Sequence, residues 1–162
     1  MQSAGVICAR TLNMNLQEII TPERTRCRGL SATKKSTLEL TSKILADQNT
    51  QLSYHEILTK LLERERLGST SIGYGVAIPH ARMHALKAPV ASLLHLNTPI
   101  DFDNATDQPV DLIFGFIVPE ERVEEHLHLI STLATLFSEE TFRDSLRKAE
   151  TDQELYAILV GL

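Results

Sequence analysis

Two stretches in the N-terminal half of the chain carry apolar residues at helical spacing. The pattern predicts one helix over Lys34–Gln48, in which the apolar side chains share a single face. A second helix is predicted to begin at Ser53-x-x-Glu56, a capping box in which each side chain satisfies a free backbone N–H of the other residue. We expect this helix to stop at Gly68, in a left-handed conformation that glycine adopts readily.

The middle of the chain contains short, continuous apolar runs, which are typical of strands. Gly68–Pro79 is expected to form a loop or hairpin that includes Val76–Ile78 as a short buried strand. Longer strands are predicted over Pro89–Leu96 and Val110–Val118, with a short strand over Pro99–Phe102 between them. Because Val110–Val118 is almost wholly apolar, we predict a central strand covered on both faces.

Helical spacing returns after the last of these strands. Helices are predicted over Glu120–Phe137, from Ser138 to Arg147, and from a capping box that begins at Thr151 to about Val160. Helices thus precede and follow the strands, so we predict a single three-layer α/β/α domain. This domain is expected to span residues 14–162, preceded by a disordered N-terminal extension over residues 1–13, which show neither period.

Composition and charge exclude several classes of protein. The chain has 162 residues, with 16 Lys plus Arg against 21 Asp plus Glu, so its formal net charge is −5. An acidic balance argues against binding to nucleic acid, which requires clustered basic residues. The longest apolar run, Leu112–Val118, is too short to insert into a membrane. Cys8 and Cys27 form no CxxC pair and are expected to be reduced thiols of a cytoplasmic protein.

Among the six histidines, His80 has the most unusual setting. It follows the apolar stretch Val76–Ile78 and Pro79, so a rigid backbone is predicted to hold an imidazole at the end of a strand. Functional groups are common at strand ends in α/β folds. The alternative at this point is an ordinary surface histidine after a turn.

The helical wheel separates His126 from His128 on the predicted helix Glu120–Phe137. His126 falls within the broad apolar arc, whereas His128 lies on the opposite, charged side. The apolar arc comprises Val123, Leu127, Ile130, Leu133, Ala134 and Phe137. His126 is therefore predicted to point inward, either as a hydrogen-bonded core residue or as a site residue that faces a cleft.

The Gly-rich stretch Gly68–Gly75 lacks the Lys and Ser/Thr of a nucleotide-binding P-loop, so we expect no nucleotide there. Its backbone N–H groups and the hydroxyls of Ser69 and Thr70 could still receive a phosphate oxygen. A plain turn is the alternative.

A metal site competes with a phosphate site for the same histidines. His80 and His84 would share a helical face, and His126 with His128 could supply a third ligand. However, an H-x-H pair shares a face only on a strand, and this pair is predicted to lie on a helix. We therefore expect neither a metal nor another cofactor, with the metal site kept as the alternative.

Two segments of the sequence resemble one known family. Two sets of residues are similar to the two signatures of enzyme IIA components of the bacterial phosphotransferase system. The first is Leu62–Thr70 followed by Ile72–His80, and the second is Val110–Phe114 followed by Val118-Pro119 and then Glu125-His126-Leu127. The similarity is to the mannitol/fructose class, in its nitrogen-regulatory branch, and runs from Met14 to Leu162. Tyr74 and Ala81 depart from the family pattern, in which Asn and Gly are usual, and both are expected to flank the site.

The resemblance implies a fold and a role for individual residues. It implies a mixed β-sheet flanked by helices on both faces, with a shallow site at one end of the sheet. His80 would receive the phosphoryl group, His126 would lie beside it, and Arg64 would help to hold the phosphate. A planar guanidinium suits that last role because its N–H groups match phosphate oxygens in pairs.

The function implied by the resemblance is that of a cytoplasmic phosphohistidine carrier, a phosphotransferase component with a regulatory output. An HPr-like phosphocarrier protein would donate the group to His80, and unidentified target proteins would be regulated. Two alternatives remain open: a sugar-uptake enzyme IIA that passes phosphate to a IIB domain, and a protein-binding module whose histidines are not phosphorylated.

Overall fold

The computed structural model describes residues 15–47, 51–102 and 108–161. The predicted extension over residues 1–13, with Cys8, lies outside these ranges. The described strands are β1 (Thr25–Gly29), β2 (Ser71–Gly73), β3 (Val76–Ala77), β4 (His80–Met83), β5 (Val90–Ile100) and β6 (Val110–Pro119). The described helices are α1 (Lys34–Leu45), α2 (Tyr54–Leu67), α3 (Val123–Phe137), α4 (Glu140–Lys148) and α5 (Asp152–Val160), apart from two 3₁₀ turns before β1.

The strands form a mixed sheet in the order β1-β5-β6-β3-β2, with β4 also paired to β6. The β5–β6 pair is antiparallel, whereas β1 runs parallel to β5, and β3 and β4 run parallel to β6. Strands β3 and β4 follow each other along the same side of β6, where Val76 pairs with Leu112 and His80 with Phe116. The prediction of a central strand at β6 is confirmed.

Side chains of β6 alternate between two cores, one on each face of the sheet. Leu112, Phe114 and Phe116 pack in the cluster that includes residues of α3, α4 and α5. Ile113 and Ile117 face the clusters that include residues of α1 and α2. The three-layer α/β/α prediction is therefore confirmed, and the apolar character of β6 follows from its being covered twice.

The predicted caps at Ser53 and Thr151 form, but each is only half of the expected capping box, because the described contacts include no return bond from Glu56 or Glu154 to the cap N–H. One helix end also differs from the sequence. The Ser53 hydroxyl accepts a hydrogen bond from the N–H of Glu56 at 3.3 Å, and the Thr151 hydroxyl accepts one from Glu154 at 3.1 Å. Helix α2 ends before Gly68 as predicted, yet Gly68 has φ 154° and ψ 151° rather than left-handed helical angles. Only glycine adopts this region readily, so the residue is needed for a different turn from the one expected.

The sequence analysis missed two strands and misplaced several element boundaries. Neither β1 nor β4 was predicted, and the two strands expected over residues 89–102 are the single strand β5. Helix α1 ends at Leu45 rather than Gln48, and α3 begins at Val123 because residues 120–122 form a turn. Within the described ranges, no helix is long and apolar enough to span a bilayer.

Gly115 permits the close approach of α1 to the centre of the sheet. A Cβ atom at this position would collide with the Thr41 methyl of α1 and would lie 3.2 Å from the Ser92 hydroxyl. Gly115→Ala should therefore lower the free energy of unfolding by about 1–3 kcal/mol, the usual cost of overpacking a core. Urea denaturation measures this loss. The double variant Gly115→Ala with Thr41→Ser, which removes the methyl group, should recover part of it, and no recovery would contradict the proposed collision.

Candidate functional site

His80 is the first residue of β4, and its ring is held from two sides. Its Nδ1 atom lies 2.7 Å from the carbonyl oxygen of Ile78, and the ring stacks on Phe116 with centroids 5.2 Å apart and planes at 11°. Since a carbonyl oxygen can only accept, Nδ1 carries the proton of the neutral ring and donates it to Ile78. The lone pair is then on Nε2, and His80 is only 7% exposed.

His126, on the first turns of α3, brings a second imidazole to the same place. The ring centroids of His80 and His126 are 5.2 Å apart, with planes at 57°. The Nδ1 atom of His126 is buried without a hydrogen-bond partner among the described residues. A buried N–H without an acceptor is more costly than an unpaired lone pair, which favours the tautomer with its proton on Nε2. His126 can then act as a hydrogen-bond donor.

Both imidazoles are held in the neutral form. Burial is the main cause that lowers the pKa of His80 below its ordinary value of 6.5; the hydrogen bond to the Ile78 carbonyl and the Glu65 carboxylate partly offset this effect, and the Arg64 guanidinium adds to it. Burial, followed by His80, Arg82 and Arg64, lowers the pKa of His126 to about 4. The pair therefore combines a neutral nucleophilic nitrogen with a neutral donor at physiological pH.

The two rings line an open depression of about 480 Å³ beside β4. Strand β4 pairs with β6, and the depression lies between α2, which supplies Arg64, and α3, which supplies His126. The lining residues are Lys60, Glu63, Arg64, Leu67, His80, Ala81, Arg82, Glu120, Val123, His126 and Leu127. The structure thus brings together His80, His126 and Arg64, three of the five residues that the sequence singled out.

Arg64 lies in the last turn of α2 and is anchored there. One of its Nη atoms donates to the carbonyl oxygen of Gly68 at 2.9 Å, which leaves other guanidinium N–H groups available to an anion. Arg82 also lines the depression, and the sequence analysis missed it. Had β4 been recognised as a strand, the two-residue period would have placed Arg82 on the same face as His80.

Ser69 and Thr70 are not among the residues that line the depression. The N–H and hydroxyl of Thr70, which is 5% exposed, both donate to the carboxylate of Glu65. The Ser69 hydroxyl accepts from the N–H of Ser71 at 3.2 Å. In this arrangement the two hydroxyls stabilise the turn between α2 and β2. The groups in the depression that are suited to bind a phosphate are instead Arg64 and Arg82.

The two departures from the family pattern lie at different ends of the sheet. Ala81 lines the depression, as expected. Tyr74 does not flank it, because it lies in the β2–β3 turn, where its carbonyl accepts from Arg147 at 2.6 Å. Tyr74 has φ 61°, a conformation that Asn tolerates better than Tyr does. The substitution at position 74 therefore concerns the local turn and not the surroundings of His80.

The wheel analysis of α3 is correct for the histidines and wrong for two apolar residues. His126 is half-buried and His128 is exposed, as predicted. Val123 and Leu127, expected in the core, are 45% and 61% exposed at the rim of the depression. The first two turns of α3 precede its first buried residue, Leu129, so the apolar residues Val123 and Leu127 border the site.

The arrangement gives no support to a metal centre. His84 is almost fully exposed and contacts the Glu120 carboxylate at 3.2 Å, and His128 faces away from His126. Across the described ranges, no cluster of three or more His, Cys, Asp or Glu side chains is arranged to hold a metal ion.

Comparison with known proteins places these features in a family. Residues 18–161 match the model of the family described as phosphoenolpyruvate-dependent sugar phosphotransferase system, EIIA 2. A nitrogen regulatory protein of Pseudomonas aeruginosa is 39% identical over 149 residues, which cover 92% of this chain and 97% of that protein.

Solved structures agree with this match. Nitrogen regulatory protein IIA-Ntr from Neisseria meningitidis has a TM-score of 0.83 at 35% identity, covering 89% of this chain and 98% of that one. The complex of enzyme IIAMTL and phosphorylated enzyme IIBMTL from Escherichia coli contains a chain with a TM-score of 0.71 at 17% identity, covering 89% of this chain and 100% of that one. The second likeness shows the fold alone.

The depressed pKa values can be tested by NMR titration of the histidine rings. We expect the midpoint of His126 near 4 and that of His80 below 6.5, because burial disfavours the charged rings. Since the unfolded chain takes up these protons at higher pH than the folded one, stability should decrease as pH falls from about 6.5 towards 4. His126→Gln and His80→Gln assign the resonances, and a His126 midpoint close to 6.5 would contradict the structure.

Proposed function

Because the chain belongs to the EIIA 2 family of the phosphoenolpyruvate-dependent sugar phosphotransferase system, we propose that it is a phosphohistidine carrier that accepts a phosphoryl group on Nε2 of His80. The observation that carries this proposal is the hydrogen bond from Nδ1 of His80 to the Ile78 carbonyl. It leaves the lone pair of a neutral imidazole on Nε2, next to His126 and two arginines that line the same depression.

The proposed donor is a phosphohistidine of an HPr-like carrier protein. The Nε2 lone pair attacks the phosphorus atom, a new N–P bond forms, and the N–P bond of the donor breaks with its electron pair returning to the donor imidazole. No proton has to move. Positive charge that develops on the His80 ring is stabilised by the Nδ1–H bond to Ile78, since a charged donor strengthens that bond.

The surroundings of His80 supply what phosphoryl transfer mainly requires, namely positioning and charge stabilisation. Arg64 and Arg82 line the depression, and no carboxylate of the described residues forms an ion pair with either. Their guanidinium groups are suited to bind the equatorial oxygens of the transferred group. The Nε2–H of His126 is proposed as a further donor to these oxygens.

We assign the carrier a regulatory output, as the name of its relatives suggests for those proteins. In this role, which we expect to take place in the cytoplasm, the phosphorylated and unphosphorylated forms would bind target proteins differently. Exposed Leu67, Val123 and Leu127 border the depression and provide apolar contact area for a protein partner. Transfer to a IIB domain is the second candidate, favoured by the solved complex of enzyme IIAMTL with phosphorylated enzyme IIBMTL.

Intact mass spectrometry tests the assignment of His80. After incubation with a phosphorylated HPr-like carrier, the wild-type chain should gain the mass of one phosphoryl group. The added group should be lost in acid, because a phosphoramidate is labile there, and it should be absent from His80→Ala. Labelling that persists in a folded His80→Ala variant would contradict the proposal, as would a wild-type chain that gains no mass.

The contrast between His126 and His128 tests the role of the second imidazole. His126→Ala should slow phosphoryl transfer to His80 by about 100-fold, within the range for removal of one positioned donor. His128→Ala, two positions along the same helix, should change the rate by less than about twofold because the side chain is exposed. A role in packing alone predicts instead that His126→Ala lowers the melting temperature while the folded variant transfers phosphate at the normal rate.

A further inference from the structure

Glu65 is a buried carboxylate to which neither the fold nor the proposed reaction assigns a role. It lies next to Arg64 in the last turn of α2, and its side chain is only 5% exposed. A buried carboxylate is costly unless it is paired and hydrogen-bonded. The contacts of Glu65 must therefore offset this cost at a position next to Arg64, which is proposed to bind the phosphoryl group.

Three donor groups surround the Glu65 carboxylate. Nζ of Lys34, at the start of α1, lies 2.8 Å from Oε2. The N–H of Thr70 donates to Oε1 at 3.2 Å, and the Thr70 hydroxyl donates to the same oxygen. The carboxylate thereby ties the turn that follows Gly68 to both helices on this face of the sheet.

A chain of hydrogen bonds continues from Thr70 to His80. The carbonyl of Thr70 accepts from the N–H of Ile78 at 2.9 Å, and the carbonyl of Ile78 is the acceptor for Nδ1–H of His80 at 2.7 Å. Ile78 itself is 2% exposed, so its carbonyl has no ready alternative in water. The N–H of Ile78 belongs to the Ala77–Ile78 peptide and its carbonyl to the Ile78–Pro79 peptide, so the backbone of this one buried residue is held by Thr70 on one side and presents the acceptor to His80 on the other.

We propose that Glu65 is a positioning residue that fixes the Nδ1–H tautomer of His80 through Thr70 and the backbone of Ile78. The consequence for phosphoryl transfer rests on the proposed function, whereas the link to the tautomer does not. Glu65 holds Thr70 in place, Thr70 holds Ile78, and the Ile78 carbonyl selects which ring nitrogen is free. The same turn also anchors Arg64, which donates to Gly68 at 2.9 Å.

The coupling is tested by reading the His80 tautomer from the ¹⁵N shifts of its ring at pH 8. The wild-type chain should show Nδ1–H predominantly. Glu65→Gln keeps the shape of the side chain but loses the charge and presents N–H groups where donors already point, so it should yield a mixture of both tautomers. Transfer to His80 should slow by about 10- to 100-fold, as is typical for removing the partner that orients a functional histidine.

Further variants keep the test decisive. Glu140→Ala removes an exposed carboxylate from the first turn of α4 and should leave both readouts unchanged. Should Glu65→Gln fail to fold, Thr70→Val, which removes the hydroxyl donor, is compared with Thr70→Ser, which retains it. Thr70→Val should shift the tautomer and slow transfer, and Thr70→Ser should behave like the wild type within about twofold.

The outcomes separate this inference from the proposed function. A folded Glu65→Gln or Thr70→Val variant with the wild-type tautomer overturns the inference, whether or not its transfer is slow, and leaves the assignment of His80 intact. A wild-type chain that accepts no phosphoryl group overturns the proposed function. In that case a shifted tautomer in Glu65→Gln still supports the link from Glu65 to His80, because the NMR measurement needs no carrier protein.

Discussion

The hydrogen bond between Nδ1 of His80 and the Ile78 carbonyl is the interaction on which the properties of the site depend. An imidazole has two nitrogens, and without a fixed partner either one can carry the proton. The bond assigns the proton to Nδ1, while the stacked ring of Phe116 prevents the imidazole from turning away. Burial then favours the neutral form. Tautomer, orientation and charge state are thus fixed before any partner arrives, which is the preorganisation that group transfer requires.

The position of β4 explains why so many functional groups meet around this ring. Because β3 and β4 share one side of β6, the chain between them places His80 four residues further along the sheet than Val76. At this point α2 from one layer and α3 from the other both reach the depression. Arg64 and His126 therefore approach the same imidazole from opposite layers, an arrangement that no single helix or strand could provide.

The sequence predicts the strand that forms a long, continuous apolar run, and it fails for the short strands that contain charged residues. Strand β6 was recognised because it is covered on both faces and reads as a continuous apolar run. Strands β1 and β4 were missed because Arg26, Arg28 and Arg82 interrupt their short apolar patterns. A two-residue strand period cannot be established over four or five positions, so pairing with β5 and β6 decides these segments.

For the site, the helical wheel placed His126 and His128 on the correct sides of α3, since that helix is long enough for its period to be unambiguous. It misplaced Val123 and Leu127, because a wheel shows which face is apolar but not how far along the helix the core extends. Glu65 could not be identified at all. Its partners Lys34 and Thr70 are set by tertiary contacts that sequence spacing does not reveal.

The charges around His80 show how phosphorylation would change this surface without moving the backbone. Among the lining residues, Lys60 is already paired with Glu63 at 3.4 Å, whereas Arg64 and Arg82 have no carboxylate partner in the described ranges. With Glu120 as the one other carboxylate in the lining, the depression keeps a net positive charge that favours an anion, and it is bordered by apolar Val123 and Leu127. Under the proposed function, a phosphoryl group on His80 would neutralise both guanidinium groups and leave the apolar rim in place. A partner that docks on this rim would then encounter a surface that has lost its excess positive charge, and charge complementarity discriminates between two such surfaces. Under the proposed function, the local change in charge at His80 would be enough to alter how a partner binds this surface.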